Sequence, residues 1–438
     1  MLKYTLFSEK TGSNEPWMVI VDVVKRYGSG SVVTVSPDSS VYVCGYEAYN
    51  SSYDHSFLAK FTSSGDIQWQ KHLLSGDTYR NQAWGLSTTK DGSVYIGGSV
   101  NFHPWIGKFS PSGERQWLKV GDTDRGGGAL SATTTSDDSA LICWRDGFAS
   151  VAAIAKFNSS GELLWHKDKK DWNSYDYWYT YITSYNDSIY VGGVDQHNEK
   201  ESYNTIVDKF DLEGNHQWST KFSTSSTISG APIAAGPDGC VYVCGHEDIN
   251  NITNGYIAKL DSSGQLLWVK KMAGSYPMNI TYVTVSQDNS IYVCGILEKT
   301  SFNSHPFIIK FNPSGEVQWQ KKATNENDQF YTCEFISITC DSDNSIYVSG
   351  YIDGFRYNST IYNGIMVLKL TEEFINQNSN SFGSLTLQDG AIVVDDLNIT
   401  PSSGVYVTSS PSMSFTPTII SVTDTETDFK INTFRENK

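Results

Sequence analysis

The stretch of this chain best equipped for chemistry is Asp171-Trp172-Asn173-Ser174-Tyr175-Asp176-Tyr177-Trp178-Tyr179, which gathers five aromatic rings and two carboxylates in nine residues. Aromatic faces beside Asp and Asn suit sugars, whose C–H groups stack on a ring while their hydroxyls bond the polar neighbours. Trp172, Tyr175, Asp176 and Tyr177 are therefore candidate ligand-binding residues. Packing is the competing role: Tyr179 stands 14 residues before Gly193, as Trp84 stands 14 before Gly98, so part of the cluster begins a repeated strand. Tyr49, Tyr53, Tyr203 and Tyr357 lie in other polar segments rich in Asn, Ser and Asp, where Tyr serves as a rigid amphipathic anchor. They complete the candidate set.

Other chemistry is harder to assemble. His55, His103 and His305 each precede a repeated Lys by five residues, and His197 and His246 fall in corresponding segments. Repeat-related positions sit on separate units, too far apart to place ligands about 2 Å from one ion, so no metal is expected. Carboxylates are plentiful, yet none forms a pair at a recognisable spacing that would mark a glycosidase. The expectation is a protein without catalytic activity, with a propeller glycan hydrolase or lyase as the alternative.

Composition narrows the partners. A formal net charge of −16 over 438 residues repels a phosphate backbone, so nucleic acid is not expected. The most apolar run, 17–24, is interrupted by Asp22 and is far shorter than a membrane span, and the N-terminus lacks the apolar core of a signal peptide. Of seven cysteines, Cys44, Cys143, Cys244 and Cys294 occupy one repeated position, as small buried residues do; a disulfide framework is not expected.

The elements that must position these residues come from an internal repeat. Lys60-Phe61, Lys108-Phe109, Lys156-Phe157, Lys209-Phe210, Lys259-Leu260 and Lys310-Phe311 are each followed by a short turn ending in Gly and then by Trp69, Trp117, Trp165, Trp218, Trp268 or Trp319, nine residues after the Lys. A seventh pair, Lys369-Leu370, lacks both Gly and Trp. Upstream of each Lys an apolar strand closes on Gly, as in Val41-Tyr42-Val43-Cys44-Gly45 and Ile291-Tyr292-Val293-Cys294-Gly295, though blade three reads Leu141-Ile142-Cys143-Trp144. Three residues before each of these strands stands Asp38, Asp91, Asp138, Asn186, Asp238, Asp288 or Asp343, a hairpin-turn signal. Four antiparallel strands per roughly fifty residues make a propeller blade.

The fold class is all-β: a seven-bladed β-propeller of four-stranded antiparallel blades. Trp17 lies 28 residues before Gly45, as Trp165 lies 28 before Gly193, so residues 17–24 are expected to supply the missing outer strand of blade seven and close the ring. The rival is Ser384-Leu385-Thr386-Leu387. The repeated Trp residues, Trp17 included, are expected to pack between blades. Residues 1–375 form the propeller; 376–438 form a short β-rich tail with little core of its own, expected to dock on partners or to mediate oligomerisation, with a disordered appendage as the alternative. Loops 46–56, 195–204, 246–255, 298–306 and 351–364 share one face with the links between blades, and that variable face is expected to bind a ligand.

The string Ala59-Lys60-Phe61-Thr62-Ser63-Ser64-Gly65-Asp66-Ile67-Gln68-Trp69, with 41–45 before it, resembles the SBBP-type propeller repeat over about residues 17–370. Proteins with this repeat include secreted bacterial proteins and bacteriophage virion proteins, and the absence of a signal peptide and of disulfides tilts the expectation toward the phage group. The resemblance implies a structural and recognition role in a virion, as a tail or fibre component, with a host surface glycan or another virion protein on the variable face and virion partners on the tail. A bacterial interaction scaffold is a further alternative. The hairpin also resembles the docking motif of quinoprotein dehydrogenases, but Phe61 replaces that motif's Asp. No cofactor is expected.

Overall fold

A computed structural model describes residues 3–8, 15–22, 31–48, 54–74, 80–121, 127–146, 151–169, 174–197, 203–222, 228–229, 231–249, 252–300, 303–325, 332–357, 360–376, 380–382, 385–389, 391–396, 401–403, 408–409, 415–417 and 421–423. Strands fill the positions that the repeat assigns. In blade one, strand a is Ser31–Val35, b is Val41–Ala48, c is Asp54–Phe61 and d is Ile67–Leu74. The same antiparallel order recurs in each blade, giving seven sheets in a ring.

The short turns at one face are built by side chains. Ser36, Thr89, Thr135 and Ser286 donate their hydroxyls to Asp38, Asp91, Asp137 and Asp288, and the same carboxylates accept the backbone N–H of Ser40, Ser93, Ser139 and Ser290. In blade three this role falls to Asp137, not Asp138, which takes the left-handed position with φ 58°. Asp341 plays the corresponding part in blade seven, accepting from the N–H groups of Asp343 and Ser345.

Each repeated Trp and Lys reaches into the next blade. The indole N–H of Trp69 donates to the Pro111 carbonyl at 2.9 Å, and those of Trp117, Trp165, Trp218 and Trp268 bond Ser159, Leu212, Ser262 and Pro313. The ammonium groups of Lys60, Lys156, Lys209 and Lys259 converge on the same next-blade turns. Each lies over a Tyr ring of its own strand b where that pair is present, as Lys60 does 5.3 Å from the Tyr42 centroid. The Trp ring also covers the turn Gly: a Cβ on Gly161 would sit 2.6 Å from Trp117.

Closure uses the same parts. Trp17–Asp22 pairs with Thr360–Leu370, with Trp17 opposite Lys369, just as Trp69 stands opposite Lys60 within blade one. Trp17 and Lys369 both donate to the Ser63 carbonyl of blade one, at 2.9 and 3.4 Å. Where the seventh turn would stand, a one-turn helix, Glu372–Ile375, is capped by the Thr371 hydroxyl, and Glu372 accepts the Lys310 ammonium that elsewhere finds a turn carbonyl. Leu385–Asp389, from the rival segment, pairs instead with the outer strand of blade six.

The remaining tail strands continue this pattern. Val393–Asp396, Pro401–Ser403, Thr408–Ser409, Phe415–Pro417 and Ser421–Thr423 pair antiparallel with the outer strands of blades five, four, three, two and one in turn. Lys3–Ser8 does the same for blade seven. The segment expected to need a partner surface thus finds one on this chain's own blade edges, and every blade carries a fifth strand.

Candidate functional site

Strand a lines the ring axis and enters from the face that carries the variable loops. In blades two, three, four, six and seven it bulges near that end, between Ala83 and Gly85, Ala129 and Ser131, Tyr179 and Tyr181, Ile280 and Tyr282, and Phe335 and Ser337. Bulges re-aim side chains and gather beside sites. Below them a pair of aromatic rings, a plug of two side chains, meets across the interior. Tyr181 of blade four and Tyr282 of blade six meet edge to face at 5.7 Å, and the Tyr181 hydroxyl donates to the Thr281 carbonyl at 2.9 Å. A contact that skips blade five must cross the interior. Burial, and then the nearby Cys294, Cys44 and Cys143 thiols, push the Tyr282 hydroxyl up to about 12. The buried cysteines of the repeat are thus arranged around this plug, all of them free thiols.

Above the plug, on the loop side, stands Glu334, third residue of strand a in blade seven (Thr332–Cys340). It is half-buried, and burial first, then the Glu298 carboxylate, raise its carboxyl above the ordinary range. Glu298 lies near the loop-side end of strand b in blade six (Ile291–Thr300) and is exposed. A carboxyl held above its ordinary range can keep its proton for use as an acid. Sequence spacing could not reveal this pair, because its members come from different blades. Further around the ring, blades one and two add aromatic groups: Tyr46 and Trp84 meet edge to face at 6.1 Å, and the Gln82 amide donates to Asp54 at 2.7 Å.

The residues singled out from sequence are placed unevenly. Trp172, Tyr49 and Tyr53 lie outside the described residues. Tyr175, Asp176 and Tyr177 belong to the inner strand of blade four, Ser174–Tyr185, with Asp176 opposite Gln196 and Tyr177 opposite Asp195. Tyr203 pairs with Gln196, and Tyr357 with Thr360 at the end of the blade-seven hairpin. Backbone pairing therefore brings Asp176 and Tyr203 to one rung, either side of Gln196. Tyr179 is fully buried and donates its hydroxyl to Asp208 at 2.6 Å, a packing role. Among the described residues no group of three or more His, Cys, Asp or Glu side chains could hold a metal ion, and no helix is long and apolar enough to cross a membrane.

Ring, blade order and closure define the class: a seven-bladed β-propeller. No family model matches the chain, and no curated protein matches it, so the likeness to the SBBP-type repeat rests on the repeat residues themselves. Among solved structures the chain is similar to a polysaccharide lyase, at 9% identity and a TM-score of 0.51 over 78% of this chain and 90% of that one. It is also similar to an α-L-arabinofuranosidase of Fusarium graminearum (10%, TM-score 0.43, 84% and 98%) and a protein from Lactobacillus plantarum (10%, TM-score 0.44, 89% and 100%). At such identities the likeness is one of fold.

The expectation of a protein without catalytic activity is corrected by the first of these. A propeller of this shape serves as a polysaccharide lyase, so the lack of a local catalytic motif does not argue against catalysis. The physical reason is the ring itself: residues that meet at its axis, like Tyr181 and Thr281, are a hundred positions apart in sequence.

Proposed function

We propose that the protein binds a polysaccharide across the loop-side mouth of the propeller and hydrolyses it, with Glu334 as general acid and Glu298 as the neighbouring carboxyl. The observation that carries this reading is the half-buried Glu334 near the loop-side end of an inner strand, its carboxyl raised by burial and by the Glu298 carboxylate. A carboxyl that keeps its proton toward neutral pH can hand it to the glycosidic oxygen as that bond breaks. Water supplies the hydroxyl to the new reducing end, and Glu334 takes the proton back from solvent. The likeness in fold to a polysaccharide lyase supports a carbohydrate substrate. A virion position, implied by the repeat resemblance, is proposed alongside and is checked by mass spectrometry of purified particles.

The test is release of reducing ends from a soluble glucan, an arabinan and alginate, by the wild-type chain and by Glu334→Gln. Loss of about 100-fold or more in rate is expected for the variant, within the range for removing a general acid. Wild-type activity should fall as pH rises through the raised Glu334 value, because only the protonated form donates. Equal rates for the two chains would overturn the assignment.

A further inference from the structure

The b-to-c hairpin of blade two closes on Asn101 and Phe102, with φ of 49° and 66°. Two consecutive left-handed residues make the tight hairpin turn that Asn-Gly satisfies without strain. Phe at the second position is costly, because its Cβ crowds the backbone. Burial does not compensate, since the ring is 66% exposed, the most exposed large apolar side chain among the described residues. A bulky residue held in a strained conformation with its ring in solvent points to function rather than folding.

Its surroundings say what the ring would meet. The Asn101 N–H donates to the Arg80 carbonyl at 2.9 Å, which pins the hairpin tip beside the entry of the inner strand Asn81–Thr88. From there inward come exposed Arg80, then Gln82 bonded to Asp54, then the bulge residue Trp84 against Tyr46. Asn81 pairs with Val100 and Ala83 with Gly98, so Phe102 stands roughly 10 Å beyond Trp84 at ordinary strand rise. That separation spans about two sugar rings, so it suits alternate rings of one chain rather than a single small ligand. Two aromatic stations with a guanidinium between them, and the Gln82 amide held in place by buried Asp54, match a polymer that offers C–H faces and hydroxyls in alternation.

We infer that blade two carries an outlying subsite for a linear polysaccharide, with Phe102 as its outer stacking platform and Trp84 as its inner one. The subsite rests on the reading of Glu334 as the acid of the same mouth, two blades away around the ring. Phe102 touches only sugars remote from the scissile bond, so it contributes to holding long chains and not to bond cleavage.

The experiment compares wild type, Phe102→Gly and Trp84→Ala on the glucan, the arabinan and alginate, each as polymer and as trisaccharide, with thermal unfolding measured in parallel. Gly is at ease at φ 66°, so Phe102→Gly should unfold at the same or a higher temperature while KM for the cleaved polymer rises about tenfold, with kcat and trisaccharide kinetics unchanged. Trp84→Ala should weaken both. Polymer kinetics unchanged in Phe102→Gly, with turnover still dependent on Glu334, would overturn the subsite alone. No binding or cleavage of any of the three by wild type would overturn the subsite and the proposed activity together.

Discussion

Asp208 is the residue on which charge and fold are most tightly coupled. It is fully buried in blade four, and the Lys169 ammonium of blade three bonds both its oxygens at 2.9 and 2.8 Å. The Tyr179 and Ser219 hydroxyls donate to it as well. Burial alone would raise this carboxyl, but Lys169 and the bonds from His216, Lys169 and Ser219 hold it well below the ordinary range. A carboxyl whose folded value lies below its unfolded value of about 3.9 stabilises the fold above that pH, and the contribution is lost as pH falls through the folded value. Asp208→Asn strands a buried ammonium and should cost about 3–5 kcal/mol near neutral pH. In urea titrations the variant's stability should change less than wild type between about pH 4 and pH 2, the window in which the unfolded carboxyl takes up its proton. Equal midpoints for the two chains at neutral pH would refute the coupling.

At the scale of elements, the c-to-d turn is where one blade grips the next. Gly161 sits at φ 83° beneath Trp117, with no room for a Cβ, whereas Gly239, at φ 75° in an a-to-b turn, would meet nothing within 4 Å. Gly239→Ala should therefore cost only the conformational penalty of about 1–2 kcal/mol. Gly161→Ala adds displacement of the Trp ring and should cost about 2–4 kcal/mol. Equal unfolding midpoints for the two variants would mean that the Trp contact contributes nothing. These turns were legible in sequence because Lys, Gly and Trp recur at fixed spacing and each answers a local requirement. The tail's pairing was not legible: Pro401–Ser403 and Thr408–Ser409 are two or three residues long, too short to show the period-two pattern that marks a strand in sequence. The aromatic cluster drew attention because its residues are contiguous. Glu334 and Glu298 escaped it because a ring brings together what the sequence separates.

For the whole molecule, the two ends of the chain have unequal work. Residues 17–21 are buried to within 3% of complete, Trp17, Val19 and Val21 in the core shared with blade one and Met18 and Ile20 in the core shared with blade six, and their strand completes the ring. Five apolar side chains at about 1.5–3 kcal/mol each amount to roughly 10 kcal/mol, comparable with the entire stability of an ordinary domain. The C-terminal strands lie outside a ring already closed and cover backbone edges that would otherwise invite pairing with another chain. A chain starting at residue 23 should consequently fail to give a cooperative monomer, and adding a peptide of residues 1–22 should restore one. A chain ending at residue 380 should keep the folded ring but unfold at a lower temperature and self-associate with rising concentration. Light scattering and thermal unfolding of both truncations decide the matter: a stable monomer from the first, or an unfolded chain from the second, would mean that closure and edge protection are assigned to the wrong ends.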